Sequence, residues 1–291
     1  MNKNYIYTIV GIIFIIIVIQ YIFINSSSSN NNNNNNNIEL VYVPHFIKKT
    51  NLISDSEIYN VPLVIYHTWN SHNVPINMKK NLDYILINNP EFDYYLYDDY
   101  ECKEFIQNNF NQDVVDAFES LIPGAYKADL WRYCILYKKG GVYMDIKLKP
   151  LVKLKTLINN NNFYYVNDNP SIKNCTNNKG IYNAFIISYP NNIIFKLCIN
   201  AIVENCKNQY YGNSTLDVTG PCLLGNIVDK YYNYNYDKMI HLYLKTDGSI
   251  YDLSNRQITD MYEGYRNEQK KVGTRHYSYM WFEKKIFKIK I

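Results

Sequence analysis

The chain is short of several features that would otherwise define its class. Its six cysteines include no C-x-x-C pair and no zinc-type spacing, which excludes a metal ribbon readable from the sequence. It has no block of like charges, and a net charge of +4 with pI near 8.5 is too mild for nucleic acid. We expect no nucleic-acid partner. Charge is missing altogether from Tyr5 to Ile24. What is present describes a globular protein: 47% hydrophobic and 19% charged residues over 291 positions, enough for one large domain with accessory segments. The 31 tyrosines and the asparagine excess are compositional bias and carry no functional reading.

The uncharged run at the amino end is long. At about 1.5 Å per residue, residues 5–24 span roughly 30 Å, the thickness of a bilayer core. A cleaved signal peptide would have a shorter apolar core and a clear small-residue cleavage site. We therefore expect a transmembrane signal-anchor at 5–24 behind a cytosolic tail at 1–4. Lys3 before the span and no charge until Glu39 favour a type II single-pass orientation with a luminal domain. Asn25 to Asn37 contains only Ser and Asn and reads as a flexible stem. Residues 25–60 are expected to be stem and linker, and 61–291 the folded domain. Sequons at Asn174 and Asn213 are usable only in a lumen, where some cysteines also pair; the spacing assigns no partners.

The stretch that organises the rest is PGAYKADLWRYCILYKKGGVYMDIKLKP, Pro123 to Pro150. Ala128, Trp131, Ile135 and Leu136 recur near helical spacing and predict a buried helix over about 125–138. Lys138, Lys139 and Gly140 end it, Gly140-Gly141 turns the chain, and Val142-Tyr143-Met144 favours a strand. Asp145 then falls at the strand's carboxyl end, where open α/β sheets bind ligands. Asp129 and Arg132, three apart on the helix, are neighbours. Taken alone they are a helix-stabilising ion pair.

Elsewhere, Val61 to His67 reads as a buried first strand followed by Thr68 and Trp69. A helix at about 78–88, a strand at 94–97 and a helix at about 100–110 follow, with Asp98-Asp99 placed to cap the last. Further strands are predicted at 163–166 and 185–187, a helix at 191–205, and a helix after the Thr219-Gly220-Pro221 turn. Cys134 fits a buried thiol. Alternating strands and helices predict an α/β fold with a mainly parallel sheet.

The pattern A-D-x-x-R-Y-x-x-L-Y-x-x-G-G-V-Y-x-D-x-K resembles the sugar-binding region of the family 32 glycosyltransferases, usually described by its DXD motif. VPLVIYHTW (61–69), NPEFDYYLYDD, the TGP turn and RHYSYMW (275–281) resemble other stretches of that family, so the likeness covers about 61–282. It implies a GT-A-like nucleotide-sugar-binding domain that moves a hexose-type sugar to a glycan, glycolipid or glycoprotein acceptor with retention. It implies catalytic roles for Asp129, Arg132 and Asp145, with His67, Thr68, Trp69, Tyr143 and Lys147 also at the nucleotide sugar. Trp69 would stack on the base. Mn²⁺ or Mg²⁺ would be held by Asp145 and His276. Lys147 departs from the family, standing where a second Asp would ligate the metal. It suits the diphosphate as a point charge instead. Two rival readings stay open: a hydrolase, which needs a second flanking carboxylate that D-x-K does not supply, and a tethered sugar-nucleotide-binding protein without turnover.

Overall fold

The computed structural model describes residues 38–50, 59–158, 164–168, 175, 180–232, 240–273 and 275–288. The predicted span at 5–24 and the Ser/Asn stretch lie outside them. Among the described residues no helix is long and apolar enough to cross a membrane. The chain divides into residues 1–37 and Ile38–Ile291, and everything below concerns the second unit.

In chain order its strands and helices are β1 (Leu40–Tyr42), β2 (Phe46–Ile47), β3 (Val64–Thr68), β4 (Asn73–Pro75), α1 (Ile76–Asn88), β5 (Asp93–Tyr97), α2 (Asp99–Asn109) and α3 (Gln112–Ser120). Then come α4 (Gly124–Lys139), β6 (Gly141–Met144), β7 (Leu148–Pro150), β8 (Tyr164–Asn167), β9 (Ile181–Ser188), α5 (Ile193–Lys207) and α6 (Pro221–Tyr231). Last are β10 (Ile240–Leu244), β11 (Ile250–Asp252), β12 (Gln257–Met261), α7 (Tyr265–Val272) and α8 (Tyr277–Phe282). The helices and strands expected from 78 to 110 and from 123 to 145 are all present, within a residue or two of their predicted ends.

Ten strands form one sheet in the order β2-β5-β3-β6-β9-β8-β10-β11-β12-β7. Only β3–β5, β3–β6 and β8–β10 are parallel; the other neighbours run antiparallel. The expected mainly parallel sheet is therefore corrected to a mixed one. Parallel neighbours need long crossovers, and α1 and then α2 to α4 supply them around β3. Beyond β6 the connection from β10 to β12 is a short meander, which only antiparallel pairing allows. The assignment of 25–60 to stem and linker also changes. β1 pairs with β4 and β2 with β5, so the folded unit takes in residues 38–47.

Each face of the sheet carries its own core. Helices α2 to α6 cover one face and α1 the other. The alternation along β3 shows the division: Ile65 packs into the α1 side and Tyr66 into the other. Helix α4 is buried over most of its circumference, from Leu130 to Leu136, which explains why its apolar pattern exceeds one stripe. It ends as expected at Gly140, whose φ of 64° favours glycine and whose N–H donates to Leu136 O at 2.9 Å. A Cβ on Gly140 would lie 2.6 Å from Pro190 N, and one on Gly141 (φ 104°) 2.9 Å from Val64 O. Close strand packing and the turn together demand both glycines. Asp98 caps α2 through a reciprocal box with Glu101, and Cys134 is buried, both as expected. Cys175 and Cys222 form a disulfide, a pairing that the sequence left open.

Candidate functional site

Strand β3 has β5 on one side and β6 on the other, so the strand order reverses there. Crevices at such switch points, beyond the carboxyl ends of the strands, are where α/β sheets bind ligands. A cavity of about 870 Å³ opens at this place, large enough for a nucleotide-sized ligand. Thr68 and Trp69 reach it from the end of β3, Asp145 from the end of β6, and Asp129 and Arg132 from α4. His276, more than 120 residues further on in the sequence, is brought to the same rim on the N-cap of α8.

The charged groups form a chain. Asp129 is buried, with Oδ1 accepting from Asn183 Nδ2 at 2.9 Å and Oδ2 from the Thr219 hydroxyl at 2.7 Å. Arg132 Nη2 lies 3.2 Å from Asp129 Oδ1 and 3.5 Å from Asp145 Oδ1, and Nη1 donates to the Asn183 carbonyl at 2.6 Å. The Arg132 guanidinium also sits 4.5 Å from the centre of the Tyr143 ring, and the Tyr143 hydroxyl donates to Asp145 Oδ1 at 2.9 Å. Lys147 Nζ closes the chain on Asp145 Oδ2 at 2.9 Å. Asp145 and Lys147 do face the same way, although not through strand alternation. The strand stops at Met144, and a turn closed by Leu148 N–H to Asp145 O at 2.9 Å carries both side chains to the cavity.

Burial and pairing pull the protonation equilibria in different directions. Burial raises the Asp129 carboxyl above the usual range, against the lowering effect of Arg132 and of the Thr219 hydroxyl. Asp145 moves the other way: burial opposes its charge, but Lys147 and Arg132 outweigh burial and hold it below the ordinary value. Lys147 is raised, because Asp145 more than offsets the burial that disfavours an ammonium. Asp145 and Lys147 still keep 24% and 23% of their side chains exposed, so a ligand in the cavity reaches both.

His67 is the predicted nucleotide-binding residue that the cavity does not include. Alternation along β3 turns it to the α1 side, fully buried, with Nδ1 3.1 Å from the Tyr94 hydroxyl and Nε2 without a hydrogen-bond partner among the described residues. Burial pushes its pKa down to about 3, with the Asp145 charge pulling weakly upward. The unfolded chain then takes up a proton below about pH 6.5 that the folded chain refuses, so stability falls as pH drops from there towards 3. The expected loss from this histidine alone is roughly 2 kcal/mol between pH 7 and pH 5. Urea unfolding at the two pH values measures it. His67→Phe should flatten the difference by about that amount, and an unchanged slope in the variant would place the acid sensitivity elsewhere.

The residues do not assemble the metal set that the resemblance implies. Both Asp145 oxygens already face donors or cations, and Lys147 stands at the position of the missing second carboxylate. His276 directs Nδ1 to Ser278, accepting from its N–H at 3.3 Å as the cap of α8. Among the described residues, no three His, Cys, Asp or Glu ligand atoms converge in this cavity. A hard cation here would have Asp145 as its carboxylate and would take its other oxygens from a phosphate ligand and water.

Asn183 and Thr219 are the site residues that sequence reasoning missed as partners of Asp129. The T-G-P turn marked Thr219 without assigning it a partner. Asn183 sits inside an apolar strand of an asparagine-rich chain and gave no signal.

A charged cavity at a switch point, floored by alternating acids and bases, defines a site for a small polar ligand. Known proteins share parts of this chain. Residues 75–164 match the family described as "Glycosyltransferase sugar-binding region containing DXD motif", a segment that holds Asp129, Arg132, Asp145 and Lys147. Inositol phosphoceramide mannosyltransferase 2 of Schizosaccharomyces pombe is 27% identical over 211 residues, 70% of this chain and 57% of that protein. Mannosyl phosphorylinositol ceramide synthase SUR1 of Saccharomyces cerevisiae is 25% identical over 185 residues, 61% of this chain and 44% of that one. A solved structure described as PaToxG Glycosyltransferase overlays with a TM-score of 0.48 at 16% identity, covering 62% of this chain and 73% of that one. Over these stretches the chain is similar to glycosyltransferases of the DXD-containing sugar-binding region. It spans 57% and 44% of the lengths of these two curated relatives.

Proposed function

We propose that the protein transfers a hexose from a nucleotide-sugar donor to a glycan or glycolipid acceptor, with retention at the anomeric carbon. The observation that carries this is the convergence of Arg132 and Lys147 on Asp145 at the switch-point cavity. When the glycosidic bond breaks, its electron pair leaves on the diphosphate, and fixed cations there stabilise the developing charge. Lys147 meets the diphosphate as a point charge, Arg132 is held in place by Asp129 and Tyr143, and Trp69 offers its ring to the base. The names of the relatives favour a mannosyl donor and a phosphoinositol-ceramide type of acceptor.

The test is release of nucleoside diphosphate by the full chain from a panel of nucleotide sugars, with and without a glycolipid acceptor. One hexose donor should be consumed faster when its acceptor is present. Donor binding without release would favour the sugar-nucleotide-binding protein, and neither binding nor release would sink both readings.

We also propose that residues 5–24 anchor the chain in a membrane, with the domain in a lumen. The uncharged run supports the anchor, while the Cys175–Cys222 disulfide and the exposed sequon at Asn213 suit an oxidising, glycosylating compartment. The full chain should stay with membranes through alkaline carbonate extraction; release with an intact amino terminus would overturn the anchor.

A further inference from the structure

Away from the cavity, three side chains from separate segments meet. His45 precedes β2, His72 precedes β4, and Glu101 lies in the first turn of α2. His45 Nδ1 is 3.0 Å from Glu101 Oε1 and His72 Nε2 is 2.9 Å from Glu101 Oε2, and one ligand atom from each residue falls within 4.8 Å of the others. We propose that these three residues form a binding site for Zn²⁺ or a similar transition-metal ion, which fastens the segment carrying β1 and β2 onto α2.

The hydrogen-bond pattern suits a positive charge between them, a proton or a metal ion. His72 Nδ1 lies 2.9 Å from the carbonyl of Val43, which can only accept, so Nδ1 carries the hydrogen. In the neutral ring Nε2 then offers a lone pair directly to a carboxylate oxygen, which repels it. A cation on that nitrogen removes the conflict. Backbone carbonyls orient metal-bound histidines in this way, fixing the tautomer and freeing the other nitrogen to ligate. His45 Nδ1 is buried and faces Glu101 Oε1 at 3.0 Å, so its ring too is directed at the carboxylate.

The cluster is also held rigid. Glu101 Oε2 accepts the Asp98 N–H at 2.9 Å in the capping box, which fixes the carboxylate. The His45 ring packs edge-on against Tyr97 at 4.6 Å and Tyr95 at 5.5 Å, and His72 lies 5.9 Å from the Tyr42 ring. Asp98 Oδ2, 3.9 Å from His72 Nε2, adds negative charge beside the site. Ligands about 2.1 Å from a tetrahedral ion lie roughly 3.4 Å apart, so small side-chain shifts suffice to close the set. Two imidazoles and a carboxylate select Zn²⁺ over the hard cations Mg²⁺ and Ca²⁺.

The test uses untagged full chain in detergent, stripped with a chelator and titrated with zinc chloride against a chromogenic competitor. One Zn²⁺ per chain is expected, with the thermal midpoint rising as it binds. His45→Gln and His72→Gln should each weaken uptake at least about 100-fold, the upper range for disturbing even the outer partners of such a site. Glu101→Gln keeps an N3 side chain able to cap Asp98 while removing the anionic ligand. It should abolish the zinc-dependent rise in midpoint with little change in the zinc-free value. Failure of the wild type to take up stoichiometric zinc would overturn the site, as would equal uptake in all three variants. Uptake lost in Asp145→Asn and kept in those three would move the metal to the cavity and overturn it equally.

Discussion

Replacing Asp129 by asparagine is expected to leave the domain folded and to lower sugar transfer by about 10²–10³-fold, the cost of losing one well-placed electrostatic group. The amide fills the same volume. Its oxygen can keep the bond from Asn183, and the Thr219 hydroxyl can turn to accept. What disappears is the charge that holds Arg132 Nη2 at 3.2 Å. Arg132 is then left with Asp145 at 3.5 Å as its only anionic partner among the described contacts. A buried cation with a weakened partner drifts, and the stability cost should be about 1–3 kcal/mol. On the proposed function the catalytic cost exceeds that, because the guanidinium would then lie off the place where charge develops on the diphosphate. Thr219→Val offers the control: it removes one hydrogen bond to Asp129 and keeps the ion pair, so it should cost much less turnover. The measurement is transfer rate, with urea midpoints alongside. Normal turnover in folded Asp129→Asn would reduce the Asp129–Arg132 pair to helix support.

The sequence made the centre of the site legible because its geometry is local. A helix, two glycines with positive φ and a four-residue strand carry Asp129, Arg132, Tyr143 and Asp145 to one place, and each step left a mark in residue type. The i, i+3 spacing was enough to pair Asp129 with Arg132. It could not show that the pair is buried, since burial depends on α5 and α6 packing over α4. Distance in the sequence explains the rest. Asn183 and Thr219 approach Asp129 across 54 and 90 positions, and no pattern along the chain encodes such a meeting. His67 lies outside the cavity for a different reason. A strand end offers alternate residues to opposite faces, and a one-residue difference sends Thr68 to the cavity and His67 to the core. The sheet's direction was misread because strand order is set by connection length. The Asp247-Gly248 turn between β10 and β11 is a hairpin signal, but it marks only that antiparallel pair and says nothing of β6–β9 or β8–β9. The His45, His72 and Glu101 cluster was invisible to any spacing rule, since its ligands come from three separate segments.

Removing the charge at Lys147 should be the other costly change. With Lys147→Met we expect a loss of about 2–4 kcal/mol of transition-state stabilisation, or roughly 30- to 1000-fold in turnover. The ammonium is within 2.9 Å of Asp145 Oδ2 and about 5.7 Å from the centre of the Tyr182 ring, so it is already fixed at the cavity before any ligand enters. Entry of a diphosphate lets it exchange or share that partner without leaving its place. In the ligand-free chain Lys147 holds the Asp145 carboxyl low, so the variant should also make Asp145 easier to protonate and shift the acid limb of the rate profile upward in pH. Lys147→Asp provides the opposing case. It puts a second carboxylate beside Asp145, and Mn²⁺ should then restore part of its activity, because a divalent ion neutralises the pair and supplies the missing positive charge. Wild type, which carries its own cation there, should respond to Mn²⁺ much less. The decisive data are transfer rates against Mn²⁺ concentration for all three proteins. If the three curves superimpose, Lys147 has no part in the chemistry. If wild type requires Mn²⁺ as strongly as Lys147→Asp, the ammonium does not do the work of the missing ligand.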